Sequence, residues 1–127
     1  MKTTVLLFGT ILCLTWSGCA KETKEVTDGI MKEYGQLVTG LGPEVSCKDA
    51  TEAALKLYDS GIEKQRKVLE DYNQLSRDNK IKATKELTKQ AGDLNKKFWG
   101  PFKKRCPNHA PQVGKILGGF LKRFGVE

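Results

Sequence analysis

The chain has 127 residues, of which 29% are charged and 39% hydrophobic, with four cysteines and a formal net charge of +7. A length of this order holds one small domain and excludes a multidomain machine. The mean hydropathy of -0.45, together with apolar residues that recur periodically, excludes both a disordered chain and a polytopic membrane protein.

Residues 1–20 read as a signal segment. Lys2 supplies a positive start, Val5 to Trp16 is an uncharged, largely apolar run of 12 residues, and small residues follow at Ser17, Gly18 and Ala20. At ~1.5 Å per residue the run covers ~18 Å against a hydrocarbon core of ~30 Å, which is short for a permanent membrane span. Two processing routes are open. A peptidase that reads the small residues Gly18 and Ala20 would cut after Ala20 and release a chain starting at Lys21. Alternatively, Leu14-Thr15-Trp16-Ser17-Gly18-Cys19 resembles the lipobox of bacterial lipoprotein precursors, in which a small pair precedes a cysteine that is lipidated and becomes N-terminal. Ser17-Gly18-Cys19 matches that pattern; Trp16 departs from it, because the position three before the cysteine usually holds Leu, Val or Ile. The resemblance implies lipidation of Cys19 and a place in the cell envelope, periplasmic or at the cell surface, whereas the first route implies a freely secreted protein. It is confined to the leader and implies nothing about residues 21–127. Both routes leave Cys47 and Cys106 as an even pair in an oxidising compartment.

Residues 21–127 show helical periodicity almost throughout and predict an all-α domain, a bundle of three to four helices. In the first helix Val26, Ile30, Tyr34, Leu37 and Leu41 form one apolar stripe, widened by Met31 and Val38, and Gly40, Gly42 and Pro43 end it. Ser46 or Asp49 can cap a second helix that carries Ala54, Tyr58, Gly61, Gln65, Val68, Tyr72 and Leu75 at alternating spacings of four and three. Gln65 is the polar member of that seam and Gly61 the member with no side chain to bury, which reads as a packing notch beside a satisfied amide. Ser76-Arg77-Asp78-Asn79 offers caps for a third helix with Ala83, Leu87, Ala91, Leu94 and Phe98 on its stripe, stopped by Trp99-Gly100-Pro101. After Pro107, Asn108 and Pro111, a final amphipathic helix carries Val113, Ile116, Leu117, Phe120, Leu121 and Phe124. If the second and third helices form an antiparallel hairpin, the chain beyond Phe98 returns to the end where Cys47 lies, so a Cys47–Cys106 disulfide is expected.

Little in the sequence suggests catalysis. His109, the one histidine, sits in a proline-flanked turn without a nucleophile motif around it, and the glycine pairs fit no phosphate loop or dinucleotide fingerprint. The expectation is a non-enzymatic protein with no metal and no cofactor. Charge is distributed unevenly. From Cys19 to Asp93, 13 basic residues face 14 acidic ones, whereas Leu94 to Val126 holds eight basic residues and no acidic one: Lys96, Lys97, Lys103, Lys104, Arg105, Lys115, Lys122 and Arg123. Phe98, Trp99, Phe102, Phe120 and Phe124 are interleaved with them, and Trp99, Phe102, Phe120 and Phe124 are candidates for membrane contact.

The leading expectation is an envelope-anchored protein that binds an anionic envelope surface or an acidic protein partner through this basic region. Nucleic acid is not expected in an exported chain without a recognition motif. A second reading has a freely secreted, lipid-binding or membrane-active protein whose segment Gln112 to Phe124 detaches from the bundle and lies in the bilayer interface. A third is a small-ligand carrier with its pocket near Gly61 and Gln65. The plain structural alternative is that the last helix closes the core and its lysines are solvated.

Overall fold

The computed structural model describes residues 22–126. The signal segment, its cleavage sites and Cys19 lie outside the described residues. Helix α1 runs Thr23–Thr39, α2 Cys47–Ser60, α3 Ile62–Asn73 and α4 Arg77–Leu94. A π-helical turn, Asn95–Trp99, joins α4 to α5 (Gly100–Arg105), and α6 (Ala110–Lys122) ends the fold. The described residues thus form an all-α bundle, closed by a Cys47–Cys106 disulfide with a Cα–Cα distance of 5.6 Å and a sequence separation of 59.

Helix α1 is the centre of the bundle. Its widened stripe buries Val26, Thr27, Ile30, Met31, Tyr34, Leu37 and Val38, and it packs most extensively on α4 and α3, with further contact to α2, α6 and the π turn. Helices α3 and α4 each pack chiefly along α1, and they touch each other through Tyr72 and Thr84. The reason is supply of apolar surface. Helix α3 buries only Gln65 and Tyr72, and α4 only Ala83, Leu87 and Ala91, so neither has enough to seal the other, and each finds it on α1.

The capping serines act as expected. Ser46 Oγ accepts from the Asp49 amide at 3.1 Å and Ser76 Oγ from the Asn79 amide at 3.2 Å, opening α2 and α4. Two boundaries differ. The long second helix is divided at Gly61, whose backbone (φ -95°, ψ 11°) leaves the helical range. A Cβ at this position would lie 2.9 Å from the Leu57 carbonyl oxygen, so the break needs glycine. Gln65 Nε2 reaches back across it and donates to the Tyr58 carbonyl at 3.0 Å; the amide is only 4% exposed and stitches the two halves together. The second difference is that Gly100-Pro101 does not stop the chain's helical path. Pro101 lacks the N–H that an α-helix would use there and its ring would crowd the preceding turn. The π turn widens the helix at this point, with the Gly100 amide donating to the Asn95 carbonyl, and α5 continues to Arg105.

A chain of aromatic rings fills the space under α6. Tyr34 meets Phe120 at 5.7 Å between centroids, Phe120 meets Phe124 at 5.4 Å, and Tyr72 meets Phe124 edge-on at 5.4 Å. Thr84 Oγ1 donates to the Phe124 carbonyl at 2.8 Å and contacts the Tyr72 hydroxyl at 2.9 Å. Gly125, at φ +79°, turns the chain beside Thr84, and Val126 is buried.

Two outcomes test this architecture. Replacing Cys47 and Cys106 together by alanine is expected to lower the unfolding free energy by about 4 kcal/mol, the chain-entropy value for a loop of this length; an unchanged denaturant midpoint would count against it. Gln65→Leu leaves the Tyr58 carbonyl without its donor and is expected to cost about 1–3 kcal/mol in urea unfolding.

Candidate functional site

The site is organised around Tyr34. Its side chain is fully buried, its ring rests on Phe120, and its hydroxyl donates to Asn95 Oδ1 at 2.6 Å. Burial pushes the hydroxyl pKa up to about 12, with the hydrogen bond to Asn95 offsetting part of the shift. Tyr34 is therefore a neutral donor across the physiological range and not a base. Asn95 is the first residue of the π turn. Its amide donates to the Ala91 and Gly92 carbonyls and its carbonyl accepts from Gly100, so the side chain that meets Tyr34 sits on the widened segment of backbone.

Beside this pair lies a cleft of about 420 Å³ between α1, the π turn and α6. Trp99 forms one end, Lys122 and Val126 the other, and Leu117 and Leu121 the α6 wall. Two glycines open it. At Gly114 a Cβ would come within 3.1 Å of the Trp99 ring, so the indole rests against bare helix backbone; at Gly118 a Cβ would meet nothing within 4 Å. Both line the cleft. Neither Tyr34 nor Asn95 was singled out as a site residue by periodicity. The one available signal was the spacing of Gly114 and Gly118, one helical turn apart in a helix where glycine is costly.

The basic region divides into two groups. Arg105 and Arg123 are part of the fold: Arg105 Nη2 donates to the Gly42 and Val45 carbonyls at 3.2 and 3.3 Å with its guanidinium over Phe102, and Arg123 Nη2 donates to the Tyr58 hydroxyl at 3.0 Å. The six lysines, Lys96, Lys97, Lys103, Lys104, Lys115 and Lys122, are all exposed. Lys97 lies over the Phe98 ring at 6.0 Å and Lys103 over Trp99 at 5.5 Å. The ion pairs Lys24–Asp28 and Arg66–Glu63 lie outside this region.

The aromatic candidates fare differently. Phe102 and Phe120 are 0% exposed and Phe124 is 1% exposed, so their reading as membrane-contact residues is corrected: in the folded domain they are core. Trp99 alone is half-buried and reaches the surface, stacked on Phe102 at 6.1 Å. The apolar stripe that made them candidates is what an interior helix also needs. The neighbourhood of Gly61 and Gln65 holds only about 80 Å³, and Gln65 is satisfied there, so the carrier reading loses that location. His109 precedes α6, its amide donating to the Cys106 carbonyl at 3.0 Å. Among the described residues no three metal-ligating side chains come together, and no helix is long and apolar enough to cross a membrane.

In a tyrosinate absorbance titration, one tyrosine is expected to ionise late, at about pH 12, and Tyr34→Phe is expected to remove that component. Because the raised pKa favours the neutral hydroxyl in the folded state, stability falls as pH rises from the unfolded value near 10 toward 12. Comparison of the chain with family models, with curated proteins and with solved structures returns no match.

Proposed function

We propose that the chain is an exported, non-enzymatic binding protein, anchored in the cell envelope through a lipidated Cys19, that docks on an anionic envelope surface or an acidic protein partner through its C-terminal third. The observation that carries this reading is the set of six exposed lysines between Lys96 and Lys122, in a stretch from Leu94 to Val126 that contains no acidic residue. Near an anionic surface each such cation contributes about 1 kcal/mol, falling off within a Debye length of roughly 8 Å at physiological salt. Arg105 and Arg123 are exposed as well and add to the same charge, while their hydrogen bonds also tie the chain to Gly42, Val45 and Tyr58. The burial of Phe120 and Phe124 supports electrostatic docking over the alternative of a freely secreted membrane-active protein, which would have to pull α6 out of the core.

The anchor and the docking are tested separately. Mass spectrometry of the mature N-terminus is expected to find a diacylated Cys19; a chain beginning at Lys21 would sink the anchored form. In a Cys19→Ser background, which removes the lipid, co-sedimentation with vesicles rich in anionic headgroups at low salt is expected to be lost when Lys103, Lys104, Lys115 and Lys122 are all changed to Glu, and to weaken steeply with salt. Unchanged vesicle binding by that variant would overturn docking on an anionic surface through these lysines.

A further inference from the structure

We infer that the cleft between Trp99 and Lys122 is a binding site for a small amphipathic anion, a medium-length acyl chain ending in a carboxylate. Its volume of about 420 Å³ falls in the roughly 300–1,000 Å³ range of sites for small molecules. It extends along α6 from Gly114 to Lys122, two turns or about 12 Å of helix, which favours an elongated occupant over a compact one. Leu117, Leu121 and the Trp99 ring give it apolar sides. Among the described residues Lys122 is the one charged residue lining it and no carboxylate does so, and Lys103 adds a second positive charge on the Trp99 ring. An apolar body with an anionic head at the Lys122 end complements this arrangement.

Two features of the walls point to an occupant. Gly118 costs helix stability, yet no neighbour lies within 4 Å of where its Cβ would be, so packing gives no reason for glycine there. What glycine does preserve is the open volume. Asn95 also faces the cleft, and while its Oδ1 accepts from Tyr34, its Nδ2 has no protein acceptor among the described residues, leaving a donor for an oxygen of the ligand. The inference does not rest on the docking of the lysines, with which it shares only Lys103 and Lys122.

Hexanoate, octanoate and decanoate, below their micellar concentrations, are titrated into the purified protein and followed by NMR. The expected result is that the amide signals of Gly114 and Gly118 and the Trp99 indole N–H shift, and that affinity rises about fourfold per added methylene. Gly118→Leu, whose Cβ would meet nothing within 4 Å, is expected to melt no lower than the wild type and to weaken decanoate at least about tenfold by occupying the cleft. Lys122→Met is expected to weaken decanoate about threefold to fivefold and to leave decanol unaffected. Decanoate shifts that bypass these three signals, an affinity independent of chain length, or full binding by a folded Gly118→Leu would each overturn the assignment. The first two outcomes are read on the wild-type protein and need no variant to fold. Vesicle binding by a Cys19→Ser form, which carries no lipid, reports on the lysines, so failure of one reading is distinguishable from failure of the other.

Discussion

A tyrosine hydroxyl buried at the centre of a small bundle must find an acceptor, because leaving it unpaired costs on the order of 1–3 kcal/mol. In this chain the acceptor is Asn95, 61 residues away from Tyr34 in sequence. The bond joins the central helix to the π turn, and the π turn is what lets the backbone pass Gly100-Pro101 into α5. Through α5 the chain delivers Cys106 to Cys47 and Arg105 to the Gly42 and Val45 carbonyls. The position of Trp99, and with it the cleft, follows from the same contact. A single buried polar pair therefore links the central helix to the segment that carries the covalent closure of the fold and one wall of the cleft beside it.

The core shows how a short chain distributes limited apolar surface. Helices α3 and α4 are mostly polar, with lysines and acids over much of their surface, and each offers only a narrow buried strip. Helix α1, apolar over a wide arc, serves both. Helix α6 with Phe120, and the turn after it with Phe124, then cover the remaining side, which explains why the most amphipathic stretch of the sequence is interior in the folded domain. The disulfide complements this arrangement, since a domain of about this size has little stability to spare.

The uneven charge acquires a finer structure in three dimensions. Arginine and lysine look equivalent in a count of positive residues, but their chemistry separates them. The planar guanidinium donates several hydrogen bonds at once and is weakly hydrated, so it suits fixed roles against carbonyl oxygens and ring faces. Arg105 and Arg123 are used in this way. The lysines, with a compact and strongly hydrated charge, stay in solvent.

Local spacing, together with the parity of a few reactive side chains, determined the helical class, the residues of the α1 and α6 stripes and the cysteine pair, and narrowed the caps to Ser46 or Asp49 and to the stretch from Ser76 to Asn79. It also identified Gly61 and Gln65 as a notch with a satisfied amide, since a missing side chain and a lone amide on an apolar seam have few physical solutions. It did not reveal that Gly61 breaks the helix or that Pro101 is carried through by a π turn; both depend on backbone hydrogen bonds that neighbouring elements stabilise. Nor could it tell interior phenylalanines from interfacial ones, because an apolar stripe looks the same whichever apolar medium it meets. Tyr34, Asn95, Gly114 and Gly118 come from three separate segments, and only their meeting creates a cleft. The sequence thus determined which surfaces had to be buried and where the charge would be concentrated, while the tertiary structure decided which buried polar groups found each other and where space was left between them.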